Sequence, residues 1–122
     1  MLERLMGALC AVPGVEQSYI IDDLGTIISS VGDVGFVPST SMLGLIVNQA
    51  KESAKVTGIG IVEEIWLEGE KRTIIDRLRT DLLLILEGRG GQLGRWRYAI
   101  ESCRESVAVS YTHLRAHETS EN

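Results

Sequence analysis

The sequence predicts an α/β domain of the α+β kind: a five-stranded, mostly antiparallel sheet with helices on its faces, in the order α-β-β-α-β-β-β-α. Three observations carry this prediction. Apolar residues recur at helical spacing in three separate stretches. Five β-branched, alternating or fully apolar runs lie between them. Turn residues join those runs into one hairpin and one three-strand meander, connections that make antiparallel neighbours.

The first helix is marked by Leu2, Leu5, Met6, Leu9 and Val12, which form one buried stripe, and Pro13-Gly14 stops it. Val15 to Ile21 reads as a strand with Tyr19 and Ile21 on one face and Ile20 on the other, because side chains alternate. Asp22-Asp23-Leu24-Gly25 is turn chemistry, and Thr26 to Val31 returns as the second strand of a hairpin. Gly32 to Pro38 is a loop. Ser39, Thr40 or Ser41 then offers a side-chain oxygen to the open amides of the next helix.

That second helix, from Thr40 to about Ala54, has an unusually wide apolar arc. Met42, Leu45, Ile46 and Gln49 follow one stripe; Leu43, Val47, Ala50 and Ala54 follow an adjacent one. A helix resting only on its own sheet needs a single stripe. The second stripe implies a second contact, with another molecule.

Gly58 to Glu68 reads as the third strand, with Ile59, Ile61, Ile65 and Leu67 on one face and Val62, Glu64 and Trp66 on the other. Gly69-Glu70-Lys71 turns, Arg72 to Leu78 returns, Thr80-Asp81 turns again, and Leu82 to Leu86 is a continuous apolar run. Such a run fits a central strand covered on both faces. After the glycine-rich loop Gly88 to Gly91, Leu93, Trp96, Ile100, Cys103 and Val107 mark a third helix. The domain therefore spans 2–107. Residues 108–122 lack this periodicity and are expected to be disordered. Ser110 to Thr119 also resembles a translated sequencing-adapter fragment, which favours a sequence artefact over a genuine tail; either reading places the segment outside the domain.

Composition narrows the function. A net charge of −5 argues against nucleic acid as a partner, since phosphate binding needs a basic surface. No run approaches the roughly 20 apolar residues of a membrane span, and the first helix lacks the features of a signal peptide, so a cytoplasmic protein without membrane insertion is expected. Cys10 and Cys103 have no second thiol or histidine nearby and read as reduced, core-facing thiols.

Candidate chemistry is sparse. The 2–107 domain contains no histidine, so neither a Ser-His-Asp nor a Cys-His arrangement can be built in it, and no catalytic residue is assigned. His113 and His117 have the i, i+4 spacing of metal ligands but lie in the suspect tail with no third ligand, so no metal is expected. Gly88-Arg89-Gly90-Gly91 lacks the Lys-Ser/Thr of a P-loop and reads as a strand-to-helix connection; no cofactor is expected. Asp22 and Asp23 read as turn formers, and Glu63 and Glu64 point to opposite faces of a strand. Arg89, Arg95 and Arg97 gather around the glycine loop and are candidates for contact with a partner. Trp96 reads as core, Trp66 as either core or partner surface.

Two segments carry a family resemblance. Leu5, Leu9 and Val12-Pro13-Gly14-Val15, followed by Tyr19-Ile20-Ile21-Asp22-Asp23-Leu24-Gly25-Thr26-Ile27-Ile28-Ser29, resemble the opening of the Roadblock/dynein light chain family. Gln17-Ser18 stand where the family often has a small pair, and Leu24 separates Asp23 from Gly25 where it usually reads Asp-Gly. The resemblance implies the Roadblock (profilin-like) fold and a dimer, with itself or a paralogue, in which second helices and neighbouring strands pair across the interface. Met42, Leu45, Ile46, Gln49 and Trp66 are the residues expected there. It also implies a non-enzymatic regulator or adaptor of a small Ras-like GTPase, including members that stimulate GTP hydrolysis. A structural scaffold or light-chain-like subunit without effect on GTP turnover is the alternative. A small-molecule sensor or enzyme on a related scaffold would instead require a well-formed polar pocket.

Overall fold

The computed structural model describes residues 2–32 and 40–120. Its elements are α1 (Leu2–Cys10), β1 (Val15–Asp22), β2 (Ile27–Gly32), α2 (Thr40–Thr57), β3 (Glu64–Glu68), β4 (Arg72–Arg79), β5 (Leu82–Gly88) and α3 (Leu93–Ser120). The strands form one sheet in the order β2-β1-β5-β4-β3, with every neighbouring pair antiparallel. The predicted fold class and element order are those observed.

Alternation along the strands splits the interior in two. On one face Ile20, Ile74, Leu84 and Leu86 pack with Met6 and Leu9 of α1 and Trp96 and Ile100 of α3. On the other, Tyr19, Ile21, Ile75 and Ile85 meet Leu43 of α2. β5 supplies both cores, which is why its sequence is apolar at every position from Leu82 to Leu86. Each fully buried aliphatic side chain contributes about 1.5–3 kcal/mol, so the larger core under α1 and α3 dominates stability. The Asp22 carboxylate accepts from the amides of Leu24 (3.0 Å) and Thr26 (2.8 Å), which makes it a turn former as its sequence context predicts.

Three boundaries differ from expectation by three residues or more. β3 begins at Glu64 rather than Gly58. Gly58 and Gly60 take φ of 69° and 92°, a backbone no strand continues through, and leave Ile59 and Ile61 exposed in the connection. α2 runs on to Thr57. α3 does not end at Val107; it continues to Ser120, and Ser110 and Tyr111 are buried. The expectation of a disordered segment from residue 108 is therefore corrected. Val107 and Tyr111 stand at i, i+4 and prolong the stripe begun by Trp96, Ile100 and Cys103. Arg79 sits 4.9 Å over the Tyr111 ring and donates to Thr112 Oγ1 at 2.8 Å. The predicted loop at 33–38 and the capping oxygen of Ser39 lie outside the described residues, as do the side chains of Thr40 and His117.

Candidate interaction surface

α2 turns one of its two apolar stripes to the sheet and the other to solvent. Leu43 and Ala54 are buried, with Ile46 and Val47 half-buried against the same core. Met42 is 56% exposed, Leu45 63% and Val56 87%. At 100° per residue, Met42, Leu45, Gln49 and Val56 fall on one outward line. Four of the five residues expected at an interface thus stand together on α2, with Ile46 turned partly inward. The outward stripe is the second apolar face that the wide arc implied.

Beside this helix the sheet ends in β3, an edge strand that pairs, among the described residues, only with β4. An edge strand presents a row of backbone donors and acceptors to any chain that can add to it. Trp66, the fifth interface candidate, sits at the middle of β3 but on the opposite face of the sheet from α2. Its register partner is Ile74 of the α1/α3 core, whereas Ile65 pairs with Ile75 of the α2 core. Trp66 is half exposed, and its indole Nε1 donates to Glu64 Oε1. Arg97 of α3 donates to the same carboxylate at 3.1 Å and lies 4.8 Å above the Trp66 ring. A guanidinium stacked on an indole and held by a carboxylate is an ordered cation with little freedom to swing. The i, i+2 pair Glu64/Trp66 was the signal for this cluster; the arrival of Arg97 depended on packing that no local pattern shows.

The three candidate arginines differ in their surroundings. Arg95 and Arg97 flank the buried Trp96 on opposite sides of α3. Arg89 and Arg95 are exposed and make no side-chain ion pair among the described residues, while Arg97 is committed to Glu64.

The glycine loop is shaped by close backbone packing. Trp96 Nε1 donates to the Pro13 carbonyl at 3.0 Å, and the Arg89 amide donates to the Gly14 carbonyl at 2.9 Å. A Cβ at Gly88 would run into the Gly14 carbonyl, and one at Gly91 into the Pro13 carbonyl. Arg72 closes the clamp, stacking 4.8 Å over Trp96 and donating to the Gly90 carbonyl at 3.1 Å. Val12-Pro13-Gly14-Val15 is thus locked against Gly88 to Gly91, and those backbone groups are already occupied.

Ionisable groups in the interior serve cohesion. Asp76 is buried on β4; Arg104 Nη2 donates to its Oδ2 at 3.0 Å and Nη1 lies 2.9 Å from its Oδ1. Burial raises the Asp76 pKa, and Arg104 opposes that rise. Glu87 is raised by burial as well, and its carboxylate accepts from the Tyr19 hydroxyl at 3.3 Å. Burial first, then Glu87, pushes the Tyr19 phenol up. The Cys103 thiol is raised by burial and stays protonated. Among the described residues no cluster of three or more His, Cys, Asp or Glu side chains could hold a metal ion, and no helix is long and apolar enough to cross a membrane.

An edge strand beside a helix with an exposed apolar stripe, on a sheet of order β2-β1-β5-β4-β3, defines the architecture: it is the Roadblock/LC7 fold. The chain is similar to Myxococcus xanthus MglB, with a TM-score of 0.77 over 91% of this chain and 95% of that one at 18% identity. It is similar to an MglB with a tetrameric arrangement (TM-score 0.76, 16% identity, 88% and 85% of the two chains). A Roadblock/LC7 domain from Streptomyces avermitilis matches with a TM-score of 0.71 and 18% identity over 90% of this chain and 97% of that domain. No family model matches the sequence, and no curated protein matches it.

Proposed function

We propose that the chain is a non-enzymatic regulator or adaptor that acts in the cytoplasm as a dimer and binds a small Ras-like GTPase, altering its nucleotide cycle. The carrying observation is the exposed apolar stripe of α2, led by Leu45 and Val56, next to the open edge of β3. Burying such a stripe against a second copy or a paralogue removes apolar surface from water, the usual driving force of association. Met42, Leu45, Ile46 and Gln49 supply the helical part of that interface and Trp66 the strand part. The likeness to MglB, including one in a tetrameric arrangement, supports both the assembly and the regulatory role. Arg89 and Arg95 are the partner-facing cations; Arg97, held by Glu64, orders the surface instead of reaching into a partner.

The dimer acts by positioning the switch loops of the GTPase and donates no catalytic group. The test is to mix the purified chain with each Ras-like GTPase of the same genome. A stable complex with an altered rate of hydrolysis or exchange is expected. No complex with any of them overturns the proposal, and a stable complex without any rate change replaces it with the scaffold reading.

A further inference from the structure

Between α2 and the sheet lies a cleft of ≈ 240 Å³ that the interaction surface does not use. Its apolar floor is Ile21, Ile65 and Ile75, and Val47 of α2 lines it from above. Its two ends differ in charge. At the β4 end stand Lys51 and Arg77; at the β1 end stand Asp22 and Asp23. Two further carboxylates on the lining are already neutralised, Glu63 by Arg77 and Asp81 by Arg79, while that of Glu64 is held by Arg97 on the opposite face of the sheet. Lys51 and Asp23 make no ion pair among the described residues, and the buried Nε of Arg77 has no hydrogen-bond partner there. A buried donor without an acceptor is costly, and such groups point to a missing polar partner. β1 and β4 are separated by β5 alone, so the two charged ends are about 10 Å apart.

We propose that this cleft binds a small zwitterion whose carboxylate and ammonium are joined by a short apolar chain. The carboxylate lies against Lys51 and the Arg77 guanidinium. The ammonium meets Asp22 and Asp23, and the chain covers the isoleucine floor. A purely anionic or purely cationic molecule satisfies one end and leaves the other unmatched. Bound there, the ligand bridges α2 to the sheet, to which the helix is otherwise fixed by Leu43 with Ile46 and Val47 beside it.

Gly44 provides a clean block. It lines the cleft, and a Cβ added to it meets nothing within 4 Å. Gly44→Leu therefore fills the space while improving helix propensity. The experiment is a titration of the full chain with 6-aminohexanoate, followed by backbone amide NMR, with hexanoate and hexylamine as single-ended controls. Expected are saturable, millimolar shifts at Val47, Asn48, Lys51, Ile75 and Arg77, with both controls at least tenfold weaker. Gly44→Leu, still folded by thermal melt, loses the shifts, and Lys51→Gln weakens them at least tenfold. The proposal is overturned by an absence of saturation, by shifts that map elsewhere, or by unchanged binding in Gly44→Leu. None of these readouts depends on a GTPase or on dimer formation.

Discussion

Replacing Gly91 with alanine tests the clamp that fixes the start of the sheet. Gly91 has a φ of 65°, and the Cβ of Gly91→Ala would run into the Pro13 carbonyl. Its neighbour Gly90, at φ 69°, is an internal control, because a Cβ there meets nothing within 4 Å. The left-handed backbone alone costs an alanine about 1–2 kcal/mol at either site. At Gly91 the loop must also retreat from Pro13, weakening the bonds from Trp96 Nε1 to Pro13 and from the Arg89 amide to Gly14. Each is worth about 1 kcal/mol net, so Gly91→Ala is expected to lose about 3–4 kcal/mol and Gly90→Ala about half that. Against a total of about 5–15 kcal/mol, the difference is large. Urea unfolding followed by circular dichroism measures it, provided the slopes agree. Equal losses in the two variants would refute the close approach and with it the structural reading of the glycine loop.

Three further outcomes follow from named contacts. Arg104→Leu leaves the Asp76 carboxylate buried and uncompensated and should cost about 3 kcal/mol; adding Asp76→Asn should recover part of it, so the two losses will not add in a double-mutant cycle. Glu87→Gln should equal or exceed wild-type stability at neutral pH. Because the folded Glu87 pKa is raised, wild type gains stability as pH falls from that raised value to the ordinary carboxylate range, and the gap closes there; a gap that widens with acid would contradict this. A chain ending at Val107 should fold but lose about 1.5–3 kcal/mol in a thermal melt, the burial of Tyr111, and no loss at all would restore the boundary at 107. The intact mass of the natural protein decides separately whether 108–122 belongs to it.

Much of the fold was legible because its signals are local. Alternation assigned Tyr19 and Ile21 to one face and Ile20 to the other, and both cores obey that split. The unbroken apolar run of β5 announced a central strand, and the second stripe of α2 announced a helix with two surfaces. What was not legible depends on contacts distant in sequence. Ile59 and Ile61 keep the two-residue rhythm of a strand, but Gly58 and Gly60 divert the backbone before it can pair. Trp66 was grouped with α2 because the sequence does not say which face of β3 each helix covers; the structure puts it under Arg97. The extension of α3 was legible in part, since Tyr111 stands four residues after Val107 on the same stripe.

The mass of the chain in solution, beside that of Leu45→Glu, tests the α2 surface most directly. Leu45 is exposed and absent from both cores, so a charge there spares the fold, whereas Ile46→Glu strikes a half-buried side chain and unfolding is one of its expected results. Light scattering after size exclusion should give twice the chain mass for wild type and a folded monomer for Leu45→Glu. A wild-type monomer, or a dimer that both variants leave unchanged and soluble, would contradict the account and move the interface elsewhere.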